Sequence, residues 1–120
     1  MANAEVKNFD SPDETRPFEG KGEARVVNVA GREVGKAIFE PGWKWSNNVK
    51  PIAGTDSCEV SHLGYCISGR MKVYMDDGTD FEIGPGDVSA IPPGHDAEVI
   101  GDEPYVGVDF GEFGDYAKRS

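Results

Sequence analysis

Residues 70–83, RMKVYMDDGTDFEI, decide the fold class of this chain. Apolar side chains such as Met71 and Val73 alternate with more polar ones, and this period of two is typical of a strand with one buried face. Asp77 and Gly78 interrupt the alternation. Asp-Gly between two strand patterns is the strongest short-range signal for a β-hairpin, because the tight turn needs positive φ and glycine supplies it without strain. The stretch therefore predicts two antiparallel strands joined by a tight turn.

Similar patterns recur on both sides of this hairpin. The chain has 16 glycines and 8 prolines, and its short runs of Val, Ile, Phe and Tyr are separated by turn-forming residues. No window shows a sustained helical period. Short strands that recur at this spacing are typical of an all-β sandwich or barrel. The predicted strands are residues 23–29, 33–39, 43–45, 58–67, 70–75, 80–83, 88–91, 96–100 and 105–110, with a loop over residues 47–55.

The length of 120 residues predicts one domain. Residues 1–22 are polar and contain two prolines, so we expect an extended N-terminal arm there. Residues 23–110 hold the predicted strands and form the domain itself. Residues 111–120 form a C-terminal tail, in which residues 115–117 favour a short turn or helix.

The charge of the chain excludes two classes of partner. Twelve lysine and arginine residues against 22 aspartate and glutamate residues give a formal net charge of -10. The basic residues are scattered, whereas nucleic acid and anionic membranes both require a basic patch. No apolar run is long enough to span a bilayer, and the N-terminus does not resemble a signal peptide. We therefore expect a cytoplasmic protein with no nucleic-acid or membrane partner.

Residues 55–62, TDSCEVSH, concentrate side chains that bind metals. The chain has two histidines and two cysteines, and one of each lies here, four residues apart. If residues 58–67 form one strand, its period of two puts Asp56, Cys58 and His62 on the same face. That face would carry three potential metal ligands.

The second cysteine, Cys66, is an unsuitable disulfide partner for Cys58 within the same strand. At about 3.3 Å per residue, their α-carbons would lie about 26 Å apart, against a limit near 7 Å for a disulfide. Free thiols are the expectation, which agrees with a reducing compartment. Cys66 itself is expected to be a core residue.

Residues 86–94, GDVSAIPPG, resemble the second motif of the cupin superfamily, which begins with Gly-Asp and reaches Pro-x-Gly. Gly69 matches the glycine that closes the first motif of that family, and the resemblance extends from Ala37 to Phe110. It implies a single-domain jelly-roll β-barrel of two antiparallel sheets, in which the motif residues point inward and hold one metal ion. Cupins are frequently dimers, so the resemblance also implies a homodimer.

The chain departs from the cupin pattern at each ligand position. When the first motif is aligned on its closing glycine, the glutamate position falls on His62 and the two histidine positions fall on Asp56 and Cys58. The histidine of the second motif falls on Ala97. His95 lies two residues earlier, on the same face of the strand. The resemblance therefore implies a rewritten metal site formed by Asp56, Cys58, His62 and His95.

A thiolate, two imidazoles and a carboxylate form a ligand set that suits Zn²⁺ best and Fe²⁺ next. Asp56 has two alternative roles in this set. As a fourth ligand it would close the site, whereas as a catalytic general base it would leave a coordination position open for substrate or water.

Two readings of Trp43 and Trp45 stay open. An aromatic pair on one face of a short strand is commonly part of the core, and it is also suited to form the wall of a substrate-binding site. Function has alternatives too. The leading hypothesis is a metal-dependent enzyme of unassigned reaction that acts on a small polar molecule, and the alternative is a non-catalytic module that binds or senses a small molecule without a functional metal. A storage or structural barrel is the third hypothesis.

Overall fold

Two antiparallel sheets form the structure, a computed structural model that describes residues 4–111 and 116–118. The six-stranded sheet has the order β1-β2-β3-β9-β4-β7 and the three-stranded sheet the order β6-β5-β8. The all-β prediction with a two-sheet jelly roll is confirmed. The elements are β1 (Glu14–Pro17), β2 (Gly22–Val29), β3 (Arg32–Phe39), α1 (Trp45–Asn48), α2 (Lys50–Ala53), β4 (His62–Ser68), β5 (Arg70–Met75), β6 (Asp80–Ile83), β7 (Val88–Ile91), β8 (His95–Ile100) and β9 (Tyr105–Asp109).

The hairpin predicted from residues 70–83 is present as β5 and β6. The two strands pair in register from Met71 opposite Ile83 to Tyr74 opposite Asp80. Gly78 has a φ of 93°, in the region that favours glycine. The carboxylate of Asp77 accepts a hydrogen bond from the backbone N–H of Thr79 at 2.9 Å and so fixes the turn locally.

The core lies between the two sheets and follows the predicted alternation. On β5, Met71 and Val73 are buried, and on β8 every second residue, beginning with His95, is buried. At one end of the barrel, Phe39 contacts Phe18 and Trp43, with ring centroids 5.2 and 4.2 Å apart. The sheets therefore enclose a largely apolar interior in which the histidine of β8 is also buried.

Two short helices occupy most of the loop predicted at 47–55, and the first of them takes in Trp45, the last residue of the strand predicted at 43–45. Lys44 of that predicted strand is extended and forms an isolated β-bridge with Glu98. Helix α1 is anchored by Asn48, whose side-chain amide donates to the carbonyl of Glu19 at 2.7 Å and whose side-chain oxygen accepts from the N–H of Lys44 at 3.0 Å. Pro51 lies in the first turn of α2, where its fixed φ suits a helix and no N–H is needed. One of these contacts is to a distant residue and the others act within a single turn. Helices this short therefore leave no helical period in the sequence.

Strand β1 lies within the segment predicted as an extended arm. It pairs with β2 along its whole length and so extends the same sheet. Arg16 of β1 is buried, and its guanidinium donates to the backbone carbonyl of Tyr116 at 3.1 Å. The N-terminal segment and the described part of the C-terminal tail are thus held together. Of the turn predicted at 115–117, residues 116 and 117 form a turn, and residue 115 lies outside the described residues.

In the part of the chain that the structure describes, neither helix is long and apolar enough to cross a membrane.

Candidate metal centre

Cys58, His62 and His95 meet at one point in the barrel. Each offers one ligand atom, and these three atoms all lie within 4.8 Å of one another. The Sγ atom of Cys58 lies 3.7 Å from Nε2 of His62, and the two imidazole centroids are 5.3 Å apart. The structure therefore brings together three of the four metal ligands that the sequence predicts, from three separate segments.

Backbone hydrogen bonds fix Cys58 beside His95. The N–H of Cys58 donates to the carbonyl of His95 at 2.7 Å, and the N–H of Gly94 donates to the carbonyl of Cys58 at 2.7 Å. Gly94 has a φ of 92°, so a glycine suits the turn that begins β8. A thiol from the loop before β4 is in this way tied to the first residue of a strand in the opposite sheet.

The second nitrogen of each imidazole is already bonded. Nδ1 of His95 lies 2.9 Å from the carbonyl oxygen of Pro92, which accepts hydrogen bonds and cannot donate them, so Nδ1 carries the proton. Nδ1 of His62 lies 2.6 Å from Oδ2 of Asp109 and donates to that carboxylate. Both arrangements leave Nε2 with a free lone pair, which is the usual state of a metal-binding histidine.

Burial affects the protonation of Cys58 and His95. Cys58 is 2% exposed, and desolvation raises the pKa of its thiol to about 11. Desolvation likewise lowers the pKa of His95, because the charged imidazolium loses its hydration. At neutral pH and without a cation, the thiol and the His95 imidazole are therefore both uncharged.

The spacing of Cys58 and His62 fits a zinc ion, and the chemistry of all three side chains suits one. With a Zn–S distance of about 2.3 Å and a Zn–N distance of about 2.05 Å, tetrahedral geometry puts sulfur and nitrogen about 3.6 Å apart. The distance between Cys58 Sγ and His62 Nε2 is 3.7 Å. A thiolate with two imidazoles is also a donor set that zinc prefers, and three protein ligands leave one position open. A bound divalent ion would stabilise the thiolate and so offset the high pKa of Cys58.

A cavity of about 100 Å³ adjoins the cluster, and both imidazoles line it. Most of its wall is apolar, formed by side chains such as Met71, Ile83 and Ile91. Small residues on β8 and β9, Ala97 and Gly107, also face it. Ala97 stands at the position where the cupin pattern has a histidine. Its side chain is smaller than an imidazole and so leaves room in the cavity.

Asp109 and Tyr116 both contact His62, although neither was predicted from the sequence. Asp109 holds His62, and the ring of Tyr116 packs edge-on against the same imidazole with centroids 5.3 Å apart. Asp109 could have been predicted from the sequence, because the period of two puts Tyr105, Gly107 and Asp109 on one face of a strand. Tyr116 follows β9 in the tail, where no periodicity indicates which way a side chain faces.

Asp56 is not part of the cluster. Its side chain is fully exposed and its carboxylate lies 3.8 Å from Nζ of Lys50, so it holds neither a ligand position nor a base position in this structure. The predicted strand 58–67 is the source of the error. Strand β4 begins at His62, and a local bond from the hydroxyl of Thr55 to the carbonyl of Ser57 at 2.7 Å bends the chain before it. The period of two therefore does not extend back to Asp56.

The two tryptophans lie in the wall of the cavity. Trp43 and Trp45 are each 2% exposed, and both belong to the hydrophobic core as well as to the cavity lining. Core packing is thus shown, while the structure is also compatible with contact to a ligand. Both cysteines are free and buried, as predicted.

No protein-family model matches the sequence, and no curated protein sequence matches it. Solved structures do match. A protein of unknown function from Acidithiobacillus ferrooxidans is 20% identical, with a TM-score of 0.60 over 83% of this chain and 88% of that one. KdgF from Halomonas sp. is 17% identical, with a TM-score of 0.60 over 89% of this chain and 90% of that one.

A third match is an RmlC-like cupin from Shewanella frigidimarina, which is 17% identical with a TM-score of 0.55. The match covers 91% of this chain and 93% of that one, so almost the whole length takes part. Sequence identities of this size support a shared fold but not a shared function. With its two antiparallel sheets and these structural neighbours, this chain adopts a jelly-roll fold similar to that of the RmlC-like cupin.

Proposed function

We propose that this chain binds one divalent transition metal ion through Cys58 Sγ, His62 Nε2 and His95 Nε2, and that it acts on a small molecule in the adjoining cavity. One observation carries the proposal: three ligand atoms lie within 4.8 Å of one another while the second nitrogen of each imidazole is already bonded. Zn²⁺ suits the donor set best and Fe²⁺ next. A reducing cytoplasm, which the sequence predicts, would keep Cys58 available as a ligand.

The residues of the chain have separate tasks in this proposal. The metal ion would polarise an oxygen of the bound molecule and lower the pKa of a bound water. Asp109 keeps the proton of His62 on Nδ1 and so orients Nε2, and the Pro92 carbonyl does the same for His95. The apolar wall excludes bulk water, which strengthens electrostatic interactions in the cavity.

A second candidate is a protein that binds a small molecule without transforming it. Among the described residues that line the cavity, Asp109 is the one carboxylate, and it is bonded to His62. Without Asp56, these lining residues supply no unpaired carboxylate as general base. This observation favours ligand binding or sensing over proton-transfer chemistry.

Metal analysis of protein purified without a polyhistidine tag tests the proposal. About one zinc or iron ion per chain should be retained by the wild type and lost in Cys58→Ala. Cys66→Ala is the matched control, because Cys66 is also a buried free cysteine but its sulfur contacts the carbonyls of Ser68 and Gly69. Substoichiometric metal in the wild type, or equal loss in both variants, would refute the metal site.

We also propose that a second copy of the chain covers the outer face of β4. Leu63, Tyr65 and Ile67 alternate on that face and are 44–48% exposed. Val88, on the neighbouring edge strand β7, pairs with Tyr65 and is 72% exposed. A contiguous exposed apolar patch beside an open sheet edge is typical of a contact between subunits. Light scattering should give a dimer that Tyr65→Glu converts to a monomer, and a wild-type monomer would exclude it.

A further inference from the structure

Two buried hydrogen-bond donors in the wall of the cavity have no partner. The indole nitrogens of Trp43 and Trp45 are buried, and neither has a hydrogen-bond partner among the described residues. An indole N–H donates and cannot accept, so the missing partner of each must be an acceptor. Buried donors are nearly always paired in folded proteins, which makes two unpaired ones in a single cavity wall a feature that requires an explanation.

Backbone pairing places both tryptophans along the strand that carries His95. Lys44 is bridged to Glu98, and the N–H of Val99 donates to the carbonyl of Trp43 at 2.9 Å. Trp45 then begins α1, and the N–H of Ser46 donates to the carboxylate of Asp96 at 3.1 Å, so the start of this helix lies beside β8. Both tryptophans, both histidines and the small side chain of Ala97 line one cavity.

We propose that this cavity binds a small carboxylate, whose oxygens accept hydrogen bonds from the indole N–H groups of Trp43 and Trp45. The proposal deepens the proposed function, on which the charge argument rests. A divalent ion held by one thiolate and two neutral imidazoles leaves a net charge of +1, which favours an anion. Carboxylate oxygens are also the strongest acceptors that an organic ligand commonly offers to N–H donors.

The size of the cavity limits the carboxylate to a short one. Its volume is about 100 Å³. An apolar cavity of about 150 Å³ holds benzene, so this one suits a molecule with roughly two to four carbon atoms. The apolar wall contacts the carbon atoms while the indoles and the cation contact the oxygens. An ammonium group would meet donors and positive charge, so amines of the same size are excluded.

Nuclear magnetic resonance of the indole N–H groups tests this directly. The chain has two tryptophans, so the proton–nitrogen spectrum contains two indole signals, which Trp43→Phe and Trp45→Phe assign one by one. Acetate and propionate added to the zinc-loaded protein should move both indole protons downfield in a saturable manner. Propylamine and propanol, which match propionate in size, should leave them in place.

Affinity gives the second readout. Each Trp→Phe change keeps an aromatic ring but removes the donor, and loss of a hydrogen bond to a charged group should weaken propionate binding at least about tenfold. The wild-type spectrum does not depend on whether the variants fold. If one or neither indole proton moves with propionate, or if propanol moves them equally, the two-indole carboxylate site is overturned.

Repeating the titration without zinc separates this inference from the proposed function. If the chain binds no zinc and propionate still moves both indole protons, the carboxylate site stands while the metal site fails. If zinc binds and propionate moves neither, the carboxylate site is overturned while the metal site stands.

Discussion

The two histidines of the cluster are held in opposite ways. His95 is 4% exposed, donates to a backbone carbonyl at 2.9 Å, and is tied through its own backbone to Cys58. The side chain of His62 is 17% exposed and donates to the Asp109 carboxylate at 2.6 Å. The partner of His95 is part of the fold, whereas the partner of His62 is a side chain that a single substitution removes. One half of the site is thus fixed by the backbone and the other half is adjustable.

Removal of the backbone-fixed ligand should have the largest effect. His95→Ala deletes one of the three ligands of the proposed site, and structural zinc sites gain about 10–16 kcal/mol from all their ligands together. We expect zinc affinity to fall on the order of 100-fold or more, measured by competition with a chromophoric chelator. His95→Ala protein that is folded and binds zinc as tightly as the wild type would remove His95 from the ligand set.

Removing the charge of Asp109, the partner of His62, should by itself weaken zinc binding. Asp109→Asn keeps an oxygen that can accept from Nδ1 of His62 but removes the negative charge. Outer-shell partners of this kind typically contribute 10- to 100-fold to metal affinity, so a loss in that range is expected in the same chelator competition. Asp102→Asn, an exposed change in the turn before β9, serves as the control and should leave the affinity unchanged. Equal affinities for both variants would show that Asp109 does not orient the ligand.

The pH dependence should report on Cys58, which lies between the two halves. Burial raises the pKa of its thiol to about 11, so metal binding must displace one proton throughout the neutral and mildly alkaline range. Apparent zinc affinity should therefore rise about tenfold for each pH unit between about pH 7 and pH 10. Asp109→Asn should show the same slope at lower affinity. A flat profile would mean that no thiol proton is lost and that Cys58 is not a ligand.

The sequence predicted the fold better than it predicted the source of each ligand. The hairpin at 70–83 depends on local backbone chemistry, and it was found in the predicted place. The period of two likewise put His95 and Ala97 on the same face, and both are buried on β8. These features could be read because their causes lie within a few residues.

Cys58 was predicted as a metal ligand because it was placed on one strand with His62, and the structure does not contain that longer strand. The sequence placed it on one strand with His62, but it lies in a loop and is held by hydrogen bonds to residues 94 and 95 of the opposite sheet. Those bonds join residues far apart in the chain and leave no periodic signal. Asp109 was accessible in principle from the alternation on β9, whereas Tyr116 reaches His62 by tertiary packing alone.

Substitution of Asp56 should have the smallest effect on stability and zinc affinity. It was predicted on the same strand face as Cys58, yet its carboxylate is solvated and its nearest cation is Lys50 at 3.8 Å. An exposed ion pair of this length contributes little, so Asp56→Ala should change the free energy of unfolding by less than about 0.5 kcal/mol. Zinc affinity should equal that of the wild type. Strand β4 begins at His62, so its alternation does not extend back to Asp56 and does not place that side chain beside the cluster. A tenfold loss of zinc affinity in Asp56→Ala would instead require residues 55–57 to turn inward when the ion binds, and both halves of the site would then be adjustable.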